Sequence, residues 1–482
     1  MSQSHDNLAF AASTDTINGG KWGPSDQDNR SSYSRSGRTS VYVMEMEDKK
    51  KSIQEPEEDY DPHMHRVVTH PTTNMETLLH LLKGSLGTGI LAMPNAFHNA
   101  GYAVGLVATV IIGLLCTYCI RILVNSQYEL CKRKRIPSLS YPTTAEAALN
   151  EGPAWLRPLA KPSVHIVNTF LLIYQLGTCC VYVMFIASNL QMGLDSFLPK
   201  VDVRIVMAIL LIPLVFVNWI RNLKFLAPCS TVANCVTFVS FGIILYYIFR
   251  EPLTFEGRPA VGDVANFPLF FGTVLFALEA IGVIMPLENE MKTPKTFLKP
   301  AGILNLGMGL IILLYAGLGF FGYICYGSAI KGSITFNLSD TEALAKVVQV
   351  LLALAIYFTH PVQCYVAIDI LWNDYIAPKL EKNSHKIFWE FFVRTCIVLF
   401  TTLLAIAIPE LELFISLFGA LCLSALGLAF PALIQLCTFW KVSEGMGKLF
   451  LFSKNIALIA FGFLGLVVGT YTSLRDIIAT FS

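Results

Sequence analysis

From Thr77 to Leu474 apolar runs alternate with short polar links, and no other feature restricts the fold of this chain as much. A run of about 20 apolar residues crosses a bilayer as a helix, because hydrocarbon offers backbone N–H and C=O groups no partners but each other. Eleven such runs are read at 77–99, 102–126, 163–191, 204–220, 225–249, 267–287, 300–325, 344–372, 388–408, 411–438 and 454–474. Composition agrees: 54% of the residues are hydrophobic and 14% charged, with a mean hydropathy of +0.56. A soluble domain carries about 25% charged residues, so a water-exposed globule built from this chain would lack a polar coat. The expectation is an all-α integral membrane protein with eleven transmembrane helices in the lipid bilayer. A net charge of +1 carries little information, and nothing in the sequence suggests a nucleic-acid surface.

Residues 1–72 are a different material, rich in Ser, Asp, Glu, Asn and Lys and ending in EPEEDYD (55–61). Such a segment buries too little apolar surface to offset its ordering entropy, so a disordered tail is expected ahead of a membrane domain over 73–482. Residues 1–20 are polar and do not read as a cleavable signal peptide. The basic residues of the short links decide orientation. Lys132, Arg133, Lys134, Arg135, Lys292, Lys295, Lys299, Lys379, Lys382 and Lys386 fall on one side, which places the amino terminus in the cytoplasm and the carboxyl terminus outside or in a lumen. The sequon Asn337-Leu338-Ser339 then falls in an outer loop, where Asn337 is a candidate glycosylation site.

Two runs carry breaks. GILAMP (89–94) in the first and GVIMP (282–286) in the sixth both place glycine shortly before Met-Pro, five spans apart. An inverted repeat of five plus five helices puts such interrupted helices at equivalent positions around a midplane binding site. In HLLKGSLGTGILAMP (80–94) the glycines at 84, 87 and 89 weaken the helix and Pro94 removes a donor. Unwinding over Gly84, Ser85, Gly87, Thr88 and Gly89 would present N–H groups at a half-helix start, suited to a carboxylate. The plainer alternative is that these small residues let helices pack closely.

In FGTVLFALEAIGVIMPLENEMK (271–292), Glu279 lies mid-span, where an ionisable group is costly; it is a candidate to face a substrate ammonium or join a proton path, the alternative being a buried carboxyl bonded to backbone. Ala277 and Gly282 flank it as candidate lining, and Glu288 and Glu290 are expected to be solvated at the cytoplasmic end. His80 precedes the glycines by a turn and titrates near physiological pH, which suits a proton carrier; a lone histidine on an apolar helix is also a common core residue. Lys83 either reaches the interface or pairs with an acid, and His360 beside Pro361 is a weaker second candidate. With no nucleotide-binding loop, catalytic constellation or metal-ligand cluster in the sequence, the expectation is a carrier and not an enzyme, without cofactor or metal, driven by an ion gradient.

TLLHLLKGSLGTGILAMPNAFHNAG (77–101), QLGTCCVYVMFIASN (175–189), IRNLKFLAP (220–228), FFGTVLFALEAIGVIMPLENEMK (270–292), YGSAIKGSITFNL (326–338) and FVRTCIVLFTTLLAIAIPEL (392–411) resemble the proton-coupled amino acid transporters of the amino acid/auxin permease group. The resemblance spans nearly all of 77–474. It implies a LeuT-like 5+5 inverted repeat with helices 1 and 6 broken. It also implies symport of protons with glycine, alanine or proline at the plasma membrane or the late endosome and lysosome. Within it, His80 matches the family's proton-linked histidine, Gly84, Gly87 and Gly89 its glycine-rich break, and Glu279 its helix 6 acid. Three departures stand out. Tyr118 replaces a second histidine, the loops 192–202 and 334–344 lack the cysteines of the family's disulfide, and Ala280 adds a methyl where the family has glycine. The competing reading is an amino acid-sensing receptor that keeps the transporter fold and signals through residues 1–72 to nutrient-signalling proteins at the lysosome, with little flux. A third is an uncoupled uniporter or channel.

Overall fold

Gly87 is extended (φ −128°, ψ −153°), and it divides the first apolar run into two helices, α1 (Asn74–Ser85) and α2 (Thr88–Ala100). The computed structural model describes residues 60–68, 71–85, 87–195, 201–221, 227–278, 281–339, 341–381 and 385–481. After α2 come α3 (Tyr102–Lys134), α4 (Tyr141–Glu151), α5 (Ala160–Gly193), α6 (Val203–Asn218) and α7 (Ala227–Arg250). The second half holds α8 (Phe267–Leu278), α9 (Ile281–Asn289), α10 (Ile303–Tyr326), α11 (Ala343–Asp369) and α12 (Lys386–Ala407). It closes with α13 (Leu411–Phe418), a π-helical stretch (Gly419–Ala429), α14 (Phe430–Thr438) and α15 (Gly445–Thr480).

Among the described residues, eight helices are long and apolar enough to cross a membrane. The remaining expected runs take other forms. Val203–Asn218 is a shorter apolar helix, 77–99 comes as α1 and α2, and 267–287 comes as α8 and α9. The outer helices present Ile111, Leu114, Phe400, Leu403, Phe463 and Leu464 more than half exposed. In water such a belt would be a liability; in hydrocarbon it is the expected surface.

At the centre α2 packs against α8, α10 and α3, while α5 packs against α11. The seams are set by glycines. A Cβ on Gly89 would lie 2.7 Å from the Cα of Ala277, and one on Gly307 would meet Leu81 at 2.5 Å. Gly272 and Gly419 bring α8 against α13 and the π-helical stretch, backbone on backbone. Hydrocarbon supplies no hydrophobic drive between helices, so close approach at small residues is what holds such a bundle.

Two features depart from expectation. The helix α4 lies in what reads as a polar link, capped by reciprocal Ser140–Thr143 bonds and packed on α5 and α14. The boundary expected at residue 72 also shifts, because residues 60–68 and 71–73 fold as a strap across one end of the bundle. Thr72 bridges Met291 in parallel register, its N–H donating to the Glu290 carbonyl (2.9 Å) and its own carbonyl accepting from the Lys292 N–H (2.9 Å). Residues 1–59 lie outside the described residues.

Candidate functional site

The break at Gly87 leaves the first N–H groups of α2 without helical partners, and its macrodipole concentrates partial positive charge there. Thr88 opens α2 at 2% exposure with its Oγ1 unpartnered, so a donor-acceptor hydroxyl sits at the helix start with bonding capacity unused. A Cβ on Gly87 would meet the Tyr182 hydroxyl of α5 at 3.6 Å, an ordinary contact. A methyl group at 87 would therefore fit, and the extended backbone there imposes no need for glycine. Tyr182 hydrogen-bonds Gln363 of α11. On the other side of the break, Tyr315 of α10 donates its hydroxyl to the Ser85 carbonyl, and the Ser85 hydroxyl donates to the Leu81 carbonyl (3.1 Å). A buried carbonyl freed by the interruption is thus satisfied by a side chain from another helix.

The other expected site residues are dispersed around this point. His80 is buried in α1 at 5% exposure, and Gly84 is half-buried in its last turn. Gly89 and Ala277 meet each other in the α2–α8 seam, and both faces are consumed by that contact. Gly282 in α9 is exposed, with nothing within 4 Å of an added Cβ. Glu279 lies outside the described residues, and with it the junction between α8 and α9. Tyr182, Tyr315 and Gln363 were not singled out from the sequence. Each is a polar residue in an apolar run, but periodicity does not say which helix faces meet the break.

Three further polar clusters lie away from the break. At the strap end, Glu288 is buried at 2% exposure, which corrects the expectation that it is solvated. Arg66 Nη1 pairs with its Oε1 at 3.0 Å and His63 Nε2 approaches at 3.2 Å. Asp61 pairs with Lys295 (2.7 Å). Burial pushes the Asp61 carboxyl up, but the Lys295 ammonium and the His63 N–H outweigh it and hold it below the usual range. Glu290, just beyond α9, is raised by burial to about 7. His360 is fully buried, its Nδ1 3.2 Å from Asn218 Nδ2, and the Asn218 carbonyl accepts from Arg394, which pairs with Glu390. Tyr118, standing where the resemblance has a histidine, bonds Lys454, which also donates to Gln435 (2.9 Å).

At the opposite end Asn95 of α2 donates to Glu412 of α13 (2.8 Å). The Asn337 amide closes its own loop there, accepting from the Lys331 N–H (2.9 Å) and donating to the Ala329 carbonyl (2.7 Å). A glycan on Nδ2 would have to share or displace that second bond. Among the described residues no cluster of three or more metal-ligating side chains occurs.

A membrane bundle with its first helix interrupted at the centre is the architecture of a solute carrier, and comparison with known proteins names the family. Residues 70–475 match the model for the transmembrane amino acid transporter protein family, and the chain belongs to it. It is 40% identical over 426 residues to the Proton-coupled amino acid transporter-like protein pathetic of Drosophila melanogaster, covering 88% of this chain and 89% of that one. It is 28% identical to the Probable amino acid transporter skat-1 of Caenorhabditis elegans, covering 85% and 91%. Among solved structures it is similar to the inward-facing conformation of Mhp1, with a TM-score of 0.49, 11% identity, and 90% and 95% coverage. The protein is thus a multi-pass membrane protein of an amino acid transporter family.

Proposed function

We propose that this chain is a proton-coupled symporter of small neutral amino acids, the glycine, alanine and proline class, with the proton as coupling ion and no cofactor. The strap end is cytoplasmic, and the membrane is the plasma membrane or that of the lysosome. One observation carries the reading: α2 begins at the break with free N–H groups and the unpartnered, buried Thr88 hydroxyl, a place built to receive a carboxylate. Tyr182 stands close enough to Gly87 to limit what fits beside it, which favours small side chains. His80 and Glu279 supply the proton-linked groups. That the Drosophila relative pathetic is named as proton-coupled supports the same coupling.

The test is uptake of radiolabelled glycine, alanine and proline into proteoliposomes with and without an inward proton gradient. Uptake and the accompanying inward current should grow as external pH falls from about 7.5 to about 5.5, the range where histidine titrates. A current that requires sodium and ignores pH overturns the reading. The sensing alternative gains support from the strap, which joins the segment leading to residues 1–59 to the buried Glu288. Substrate binding without flux would favour it.

A further inference from the structure

The contact between Asn95 and Glu412 joins the two kinds of element that a carrier must separate. Asn95 is 7% exposed and follows Pro94 in α2, the half-helix that begins at the break. Glu412 lies in the first turn of α13, on a continuous apolar segment that packs against α5, α8 and α15. The link is a single amide-to-carboxylate hydrogen bond of 2.8 Å, and other contact between α2 and α13 is slight. Glu412 is half-buried at the end of the bundle opposite the strap, and its Cβ and Oε2 lie 3.3 Å from where a Gly332 Cβ would stand.

The surroundings make this carboxyl responsive. The N-terminus of α13 and the Asn95 N–H favour its ionised form. Burial first, and then the nearby Glu410 charge, oppose that form. Among the described residues α8 brings no titratable side chain. His98 of α2 is turned against Tyr323 of α10, Arg475 and Asp476 of α15 pair with each other, and Lys331 beside Gly332 is exposed. On α5, Tyr182 is engaged with Gln363 at the break. No described cation therefore pairs with Glu412, and Asn95 is its hydrogen-bond partner.

We propose that Glu412 is a proton-accepting coupling residue. Ionised, it ties α2 to α13 through Asn95; on taking a proton from water at this end, it releases α2 to move. An O–H bond of a hydronium ion breaks, leaving water, as the carboxyl O–H bond forms, and the amide is left facing a neutral carboxyl. Hydrogen bonds to ionised groups are roughly twice as strong as neutral ones, so protonation weakens the tie without destroying the fold. The inference rests on the symport reading for its purpose but not for its test.

The experiment compares the full-length wild type with Glu412→Gln, which keeps the shape of the protonated acid, and with Asn95→Ala. Hydrogen–deuterium exchange of the peptide spanning 88–100 is followed at pH 5.5 and 7.5, after correction for intrinsic exchange. In the wild type, protection of α2 should fall several-fold at the lower pH. In Glu412→Gln and in Asn95→Ala it should be low at both values, and proton-driven uptake by Glu412→Gln should lose most of its pH slope. A wild type equally protected at both pH values overturns the proposal, as does a Glu412→Gln variant that keeps the wild-type pH response. Wild-type uptake indifferent to pH would overturn the symport reading alone, with Glu412 still judged by the exchange data.

Discussion

The two ends of the bundle close around the same interrupted helix by different physics. On one side α2 and α8 are largely buried and meet backbone to backbone at Gly89 and Ala277, while Gly272 of α8 meets Ser416 of α13 in the same way. On the other, α1 and α9 touch less, Gly282 is open, and closure falls to the strap through Arg66, His63 and Glu288. Close packing between small residues has no intermediate setting: a seam is in contact or it is parted. Ion pairs and single hydrogen bonds respond to charge, water and proton concentration. A carrier needs one end held while the other opens: the strap end closes largely through charged side chains, whereas the opposite end sets the Asn95–Glu412 bond beside its close-packed seams.

Substitution at Gly89 should break this contrast most severely. With a Cβ placed 2.7 Å from the Ala277 Cα, Gly89→Val forces α2 and α8 apart, and uptake should fall more than about tenfold, the usual cost of misplacing a site by an ångström or so. Gly282→Ala, with nothing within 4 Å, should transport as wild type, and equal losses in both variants would sink the distinction between the ends. Next comes Arg66→Ala, which leaves Glu288 buried without its arginine. Removing one partner of a buried pair costs about 3–5 kcal/mol, so the thermal midpoint of purified protein should drop by several degrees. In the same variant a cysteine introduced at Ser85 should be alkylated faster from the strap side. An unchanged midpoint and labelling rate would mean that the strap does not hold this end.

Tyr315→Phe is a smaller test, aimed at the junction between the two ends. It strands the Ser85 carbonyl, at a cost of about 1–3 kcal/mol, and should weaken amino acid binding in an equilibrium assay by loosening the break. Affinity and stability both at wild-type values would show that water replaces the hydroxyl. The smallest effect concerns Glu290. Its pKa is raised from 4.5 to about 7 by burial, so between those values the folded state holds a proton that the unfolded state has lost. Stability from this group is full below about 4.5, declines as pH rises, and is gone above about 7. A thermal midpoint measured across that window should fall with pH in the wild type and flatten in Glu290→Gln.

Much of this was readable in the sequence because its causes are local. Helix 1 breaks at Gly87 within a Gly-rich stretch, and the long spans follow from what hydrocarbon does to an unpaired backbone. The helix α4 was legible too, in a Ser140-x-x-Thr143 cap ahead of an alanine-rich stretch, but a search for apolar runs passes over it. Gly87 and Gly89 look alike in sequence, yet one faces a hydroxyl at 3.6 Å and the other a backbone at 2.7 Å. Composition places Glu288 at a polar end where solvation is the default, and only the return of Arg66, far back in the chain, makes its burial tolerable. Tyr182, Tyr315, Gln363 and Glu412 acquire meaning through partners on other helices in the same way. By itself, then, the sequence determined that the chain lies in a membrane, where its helices run and where the first one fails, since each follows from the solvation of neighbouring backbone groups. The tertiary structure decided which glycines seal a seam, which face the site and which charges find partners, because those depend on distances between residues far apart in the chain.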